Sequence, residues 1–285
     1  MQNAKSIKQA IAFAVFRTLA GLVVGILLAV FLFIFFKGIG MMSWEFLTAP
    51  PKEGMLKGGI VTAIIGTFLL VIYSALIAFP VGILSGIYMN EYLKDGKAKQ
   101  FITMITNNLA GIPSVVFGLF GLSIFVNILG WGVSVISGAF TLAIMILPIV
   151  IRTTEESLKQ VEQNYRLASY AMGATQWQTI WKIVLPAAMP NIITGLILSI
   201  GRVAGETATI IFTAVAYFLP TIEFGIDKPV MALPYHLYVL STSGIDLQAS
   251  RNVAFGTALV LVSMIFILNL MANVLRKRLK ISSTK

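Results

Sequence analysis

The sequence predicts an all-α polytopic membrane protein with six transmembrane helices, and three observations carry that prediction. Apolar residues make up 58% of the 285-residue chain and charged residues only 11%, with a mean hydropathy of +0.90, whereas a soluble domain carries about a quarter charged residues. The apolar residues fall in six runs separated by polar segments. The basic residues behind the formal charge of +10 flank those runs instead of forming a domain of their own, which suits membrane flanks and argues against nucleic acid as a partner.

Residues 1–17 carry Lys5, Lys8 and Arg17 and no acid, which assigns them to the cytoplasm. The first span is residues 18–36, which at 1.5 Å per residue rises about 28 Å, close to the hydrocarbon thickness. It exceeds a usual signal-peptide core and Lys37 follows without a small-residue cleavage site, so it is expected to remain. Residues 37–59, with Trp44, Pro50 and Pro51, form an external loop. The second span, residues 60–88, would rise roughly 43 Å and must tilt, protrude or bend, with Pro80 as the bend. Residues 91–99, with Lys94, Lys97 and Lys99, form a short internal loop. Asn107, Asn108, Gly111 and Pro113 then make a cytoplasm-side break before the third span, residues 114–129. Residues 130–132 are an external turn, and 133–151 the fourth span. Residues 152–190 return to the cytoplasm, where Pro186 and Pro190 break the helix before the fifth span, residues 192–215. A second external region, 217–252, holds Pro220, Pro229, Pro234 and an ordinary loop histidine, His236. The sixth span is residues 253–274. Three parts result: 1–59 (cytoplasmic segment, first span, external loop), a core of 60–275, and a basic tail of 276–285.

Orientation follows from Lys and Arg. Of 21, fifteen fall in the proposed internal regions, five in the external ones, and Arg202 lies within a span, while the acids divide evenly apart from Glu206. A Lys/Arg bias without an acid bias is what the positive-inside rule requires, and it places both termini in the cytoplasm.

Several chemistries are excluded by motif. There is no G-x-x-x-x-G-K-[ST] loop to cradle a nucleotide. With one histidine, no cysteine and no H-E-x-x-H, the sequence argues against a zinc site, and no disulfide can form. No constellation of nucleophile and base points to catalysis.

Two stretches remain to carry function. Within residues 152–190, Leu167, Tyr170, Ala171 and Ala174 recur at helical spacing and mark a short amphipathic helix. Its side chains from Ala168 to Ala174 are mostly small, so its backbone can sit deep in a groove, and Gly173 permits either close approach or a turn at positive φ. This helix either rests on the bilayer or docks into a partner. The second stretch is Arg202 with Glu206 and Thr207. Arg202 is twelve residues beyond Pro190, about 18 Å along a helix and near mid-membrane, where a charge must face the protein interior or a water-filled path. Glu206 at i+4 can neutralise it, and Gly201 and Gly205 let another helix approach beside that face. The pair either locks helices together or offers an anion the fixed donor fork of Arg202, with Thr207 adding a hydroxyl. Asn107 and Asn108 either line the inner mouth or, like Asn269 and Asn273 on one face of the sixth span, bond between helices, and interhelical bonding is the expectation for all four.

Gly173, followed by Ile183, Leu185 and Pro186 at offsets of ten, twelve and thirteen, resembles the cytoplasmic motif E-A-A-x-x-x-G, nine residues, I-x-L-P of permease subunits of binding-protein-dependent ABC importers. Leu167, Ala168 and Ser169 occupy the E-A-A positions, so the glutamate is replaced. The block from Asn108 to Gly121 and the run from Gly201 to Ala208 are similar to those of the phosphate-transporting members, over most of the chain from Ile60 to Val274. The resemblance implies a type I ABC importer permease fold whose coupling helix docks Ala168, Ser169, Tyr170, Ala171, Gly173 and Ala174 into an ATPase subunit. It implies a substrate path at Arg202, Glu206 and Thr207, no cofactor in this chain, and ATP and Mg bound by the partner ATPase. The implied partners are ATP-binding cassette ATPase subunits, a second homologous permease and an extracytoplasmic phosphate-binding protein, in the cytoplasmic membrane of a prokaryote and in contact with its lipid. An anion transporter or channel working without an ATPase is the other reading. It would leave the spacing from Gly173 to Pro186 without a role and shows no inverted repeat.

Overall fold

Long apolar runs with few helix breakers fold as long helices, because the bilayer leaves every backbone N–H and C=O to be satisfied within its own segment. The computed structural model describes residues 2–221, 225–243 and 247–282. In chain order these form α1 (Gln2–Gly38), α2 (Trp44–Thr48), the antiparallel two-residue strands β1 (Pro51–Lys52) and β2 (Lys57–Gly58), α3 (Val61–Ile87) prolonged by a π turn at Tyr88–Tyr92, α4 (Lys97–Ala110), α5 (Ser114–Gly121) prolonged by a π stretch at Leu122–Ile128, α6 (Val135–Lys159), α7 (Gln163–Ala171), α8 (Gln176–Thr179), a π turn at Ile180–Val184, α9 (Leu185–Ala204), α10 (Ala208–Ile211), α11 (Leu233–Thr242) and α12 (Leu247–Ser282). Five stretches are long and apolar enough to cross a membrane, and a sixth is made if α4 and α5, bent by 97°, count as one span. The six-span expectation therefore stands, with the third span broken.

The core is organised around α6, the most buried of the spans, which packs against α3, α9, α4 and α5. Leu142, Ile146 and Val150 on α6 are fully buried. Gly82 and Gly86 on α3 allow close approach: a Cβ would lie 2.5 Å from Val150 Cγ1 at the first and 2.6 Å from Thr154 Cβ at the second, both on α6, so a larger residue at either would force the helices apart. At the end of the bundle that carries Arg166, a smaller apolar cluster of Ile87, Leu158, Ile180, Val184, Ala188 and Ile192 joins the ends of α3, α6 and α9. Helix α1 is peripheral. It packs on α12 near its C-terminal end, with the Phe33 ring edge-on to Phe255 at 5.6 Å, and its apolar side chains from Phe13 to Phe36 are largely exposed.

Four sequence expectations are corrected. Pro186 and Pro190 do not break the helix: Gln176–Ala204 runs as one span. Pro186 sits in the first turn of α9, directly after the π turn, where the wider turn absorbs the carbonyl that the ring would displace. The fifth span ends at Ala204 and not Val215, because the chain unwinds at Gly205–Thr207 and the apolar residues beyond pack as short α10 and an extended piece. Ala216 N–H there donates to Val230 O, and Val230 N–H to Ala214 O, both at 3.0 Å. The break at Pro113 is deeper than cytoplasmic. Ser114 O accepts from Thr209 Oγ1, which also meets Met145 Sδ, and Met145 is ten residues or about 15 Å along α6 from its Val135 end. His236 is no loop residue but lies on α11, 1% exposed. Helix α12 runs from Leu247 to Ser282, past the expected end of the sixth span. The external loop ending at residue 59 also joins the core through buried Phe46 and Met55. Residues 222–224 and 244–246 of the second external region, and 283–285 of the tail, lie outside the described residues.

Candidate functional site

The residues singled out by the sequence fall in two places. The first is α7. Its C-terminus closes with Gly173 at φ +82, with Gly173 N–H donating to Tyr170 O at 2.9 Å and Ala174 N–H to Ser169 O at 3.2 Å. This is the Schellman pairing of a helix end, in which a residue past the cap turns left-handed. Space around Gly173 is open, with nothing within 4 Å of a Cβ placed there, so within this chain the turn and not close approach explains the glycine. Thr175 then starts α8 with a capping box completed by Gln178.

What holds α7 was not visible in the sequence. Arg166 is buried and grips Glu91, at the end of α3, by two bonds: Nη2 to Oε1 at 2.7 Å and Nε to Oε2 at 3.2 Å. Its remaining donors reach Val161 O at 2.8 Å and Leu158 O at 3.0 Å, and Gln176 Nε2 donates to Glu91 O at 2.8 Å. Glu91 thus ties both sides of the Gly173 turn to α3. Of the six docking residues expected here, Ala168, Tyr170, Ala171 and Gly173 are exposed and Ala174 is half-buried. Ser169 is buried against Thr179, Oγ to Oγ1 at 2.8 Å, and serves the fold. The exposed surface gains Tyr165, Leu167 and Met172, the last 88% exposed. The residue replacing the motif glutamate thus sits on an apolar face. A cleft of about 510 Å³ opens beside it, lined by Glu91, Lys159, Arg166, Tyr170 and Gln176 among others.

The second place is mid-bundle. Gly195 packs against Thr153, and Arg202 is seven residues or about 10 Å further along the antiparallel α9, which brings it to the depth of Met145. Arg202 occupies the last turn of α9, where a cation complements the helix dipole. It is exposed on the single chain, and among the described residues it has no hydrogen bond or ion pair. The expected pairing with Glu206 is absent because α9 ends before Glu206. The carboxylate instead accepts Thr209 N–H at 3.4 Å, at the start of α10. Thr207 flanks that start, half-buried. The helix approaching Gly201 and Gly205 is α12, at ordinary contact distances of 3.8 to 4.0 Å from a Cβ on either.

The two interrupted helices meet here. Gly118 on α5 packs on the Ala208–Thr209 backbone, and Thr209 bonds to Ser114, so the break before α5 and the break after α9 share one level. Asn107 and Asn108, in the last turn of α4 leading into this junction, are exposed and make no side-chain hydrogen bond among the described residues, as is true of Asn273. Asn269 lies beside Gly201, and its Oδ1 is buried without a partner. None of the four makes the expected interhelical bond. Broken helices at membrane depth are tolerated where they are buried or line a cavity, and Arg202, without a partner among the described residues, lies three residues before the unwound Gly205–Thr207 segment.

Comparison with known proteins agrees with this architecture. The chain is 33% identical over 280 residues to the "Probable ABC transporter permease protein YqgI" of Bacillus subtilis, covering 94% of this chain and 95% of that protein. It is 36% identical to the "Phosphate transport system permease protein PstA" of Pasteurella multocida, covering 84% and 83%. Among solved structures, an alginate ABC transporter in complex with a periplasmic protein matches with a TM-score of 0.65 at 16% identity, covering 93% of this chain and 94% of that one. The inward-facing MetNI methionine ABC transporter matches with a TM-score of 0.60 at 19% identity, covering 78% and 94%. The sequence profile described as "Binding-protein-dependent transport system inner membrane component" matches residues 78–281, and the chain belongs to that family of multi-pass ABC importer permeases.

Proposed function

We propose that this chain is the membrane-spanning permease subunit of an ATP-driven phosphate importer. The observation that carries the reading is Arg202, an unpaired and exposed guanidinium at mid-membrane depth beside two helix breaks, on the same continuous helix whose other end is joined to α7. Phosphate transport permeases at 32–36% identity support the choice of anion.

In this reading the Arg166 end faces the cytoplasm, as the distribution of Lys and Arg requires. The exposed face of α7, with Ala168, Tyr170, Ala171 and Gly173, docks into an ATP-binding cassette subunit that holds ATP and Mg. A second, homologous permease covers the face bearing Arg202, and an extracytoplasmic phosphate-binding protein delivers phosphate to the opposite end. The chain does no covalent chemistry. Closure of the ATPases displaces α7. Because Arg166 and Gln176 tie that helix to α3, and the π turn joins it to α9, the displacement reaches both α3 and the helix that carries Arg202. The guanidinium offers planar, two-point donation to a tetrahedral oxyanion, and Glu206, engaged at α10, leaves it free to do so.

Reconstitution tests this. The complex purified through this chain should retain an ATP-hydrolysing subunit, and proteoliposomes should take up phosphate only with ATP and the binding protein, with sulfate competing poorly. Uptake without an ATPase would replace the proposal with a secondary transporter or channel, and equal transport of sulfate would make the substrate oxyanions in general.

A further inference from the structure

A groove of about 610 Å³ lies where α1, α11 and α12 meet, at the end of the bundle away from Arg166. Phe33, Ile34, Leu237 and Phe255 form its apolar wall, and Lys37 and Arg251 its cationic part. The arrangement follows from helix spacing. Lys37 is one turn beyond Phe33 on α1, and Arg251 one turn before Phe255 on α12, so each cation shares a face with one ring of the Phe33–Phe255 contact. Both cations are exposed, and among the described residues neither has a carboxylate within 4 Å. Below the rings the wall continues onto the exposed apolar surface of α1 at Val30 and Ile26.

We infer that this groove binds an anionic phospholipid, its phosphate held by Lys37 and Arg251 and its acyl chains laid along Phe33, Phe255 and the adjoining turns of α1. Two cations without a carboxylate partner among the described residues, at the end of two membrane-spanning helices, call for an anion, and only a ligand that is both anionic and long-chained uses the charge, the aromatic wall and its continuation on α1 together. A free phosphate would use the cations alone. A docked water-soluble protein would leave the surface that runs down α1 without a use, and the second permease is assigned to the face bearing Arg202. With the orientation proposed above, the groove opens to the outer leaflet; binding itself does not depend on that orientation.

The test is lipid binding to the intact, delipidated complex in detergent, with bound lipids counted by native mass spectrometry, so that it reads independently of uptake. Dioleoylphosphatidylglycerol should bind at least tenfold more tightly than dioleoylphosphatidylcholine. The double variant Lys37→Gln/Arg251→Gln should lose roughly 10- to 30-fold of that affinity, while the charge-retaining Lys37→Arg/Arg251→Lys, which controls for folding, keeps it. Excess inorganic phosphate should not displace the lipid. Unchanged phosphatidylglycerol affinity in the Gln variant, or displacement by inorganic phosphate, would overturn the inference. So would a Gln variant that binds lipid normally but no longer docks the binding protein.

Discussion

Arg166 and Glu91, 75 residues apart in sequence, meet in a two-point ion pair whose side chains are only 9% and 6% exposed. Arg166 places two further N–H groups on backbone carbonyls, so four of its five donors are engaged, and such added bonds are the condition under which a buried ion pair holds. It is the principal polar tie between α7 and a membrane-spanning helix other than the one α7 leads into. Removing one partner leaves a buried charge, a loss of about 3–5 kcal/mol. Arg166→Met should therefore raise hydrogen exchange across residues 163–176 and lower uptake at least tenfold. Glu91→Met/Arg166→Met should recover part of both, since it leaves no orphan charge. A double variant worse than either single one would show that the pair is not the tie.

Gly173 makes a separate prediction about strain. Its φ of +82 costs an L-residue roughly 1–2 kcal/mol, and no neighbour would clash with a side chain. Retention of the ATPase subunit should fall in the order Gly173, Asn, Ala, Val, since Asn tolerates the left-handed region best and a β-branched residue least. An order set by side-chain volume alone would instead favour close approach of the partner.

These two residues also show what was legible. The spans of α1, α3 and α12 and the Gly173 turn can be read from runs and local spacing. Arg166 gave no sign, because its role depends on Glu91 arriving from another helix. Pro186 was misread because a π turn upstream is not written in hydropathy. The end of α9 was missed because Ala208–Val215 is as apolar as a helix continuing outward, although Gly205 was the available signal. The Arg202–Glu206 pair failed with it, since i+4 spacing brings charges together only while the helix lasts.

His236 yields a pH prediction. Thr257 Oγ1 donates to Val253 O at 2.9 Å, so the 3.1 Å contact to His236 Nδ1 has the imidazole as donor and leaves Nε2 bare and buried. Burial pushes the pKa down from 6.5 to about 4. A lowered histidine pKa means the unfolded chain binds the proton more readily, so its contribution is full above pH 6.5 and is lost as pH falls from there towards 4. The thermal midpoint of the purified complex should drop between pH 7 and pH 5, and His236→Gln should flatten that drop. An equal slope in the variant would assign it to other groups.

The central claim is that Arg202 carries the anion, and Arg202→Gln tests it most directly through ATP-driven phosphate uptake in proteoliposomes. The account predicts a complex that assembles with its ATPase and binding protein and hydrolyses ATP, yet takes up phosphate at least 100-fold more slowly, consistent with the roughly 3 kcal/mol that a charge-assisted bond supplies. Uptake at the wild-type rate by an assembled Arg202→Gln complex would contradict it.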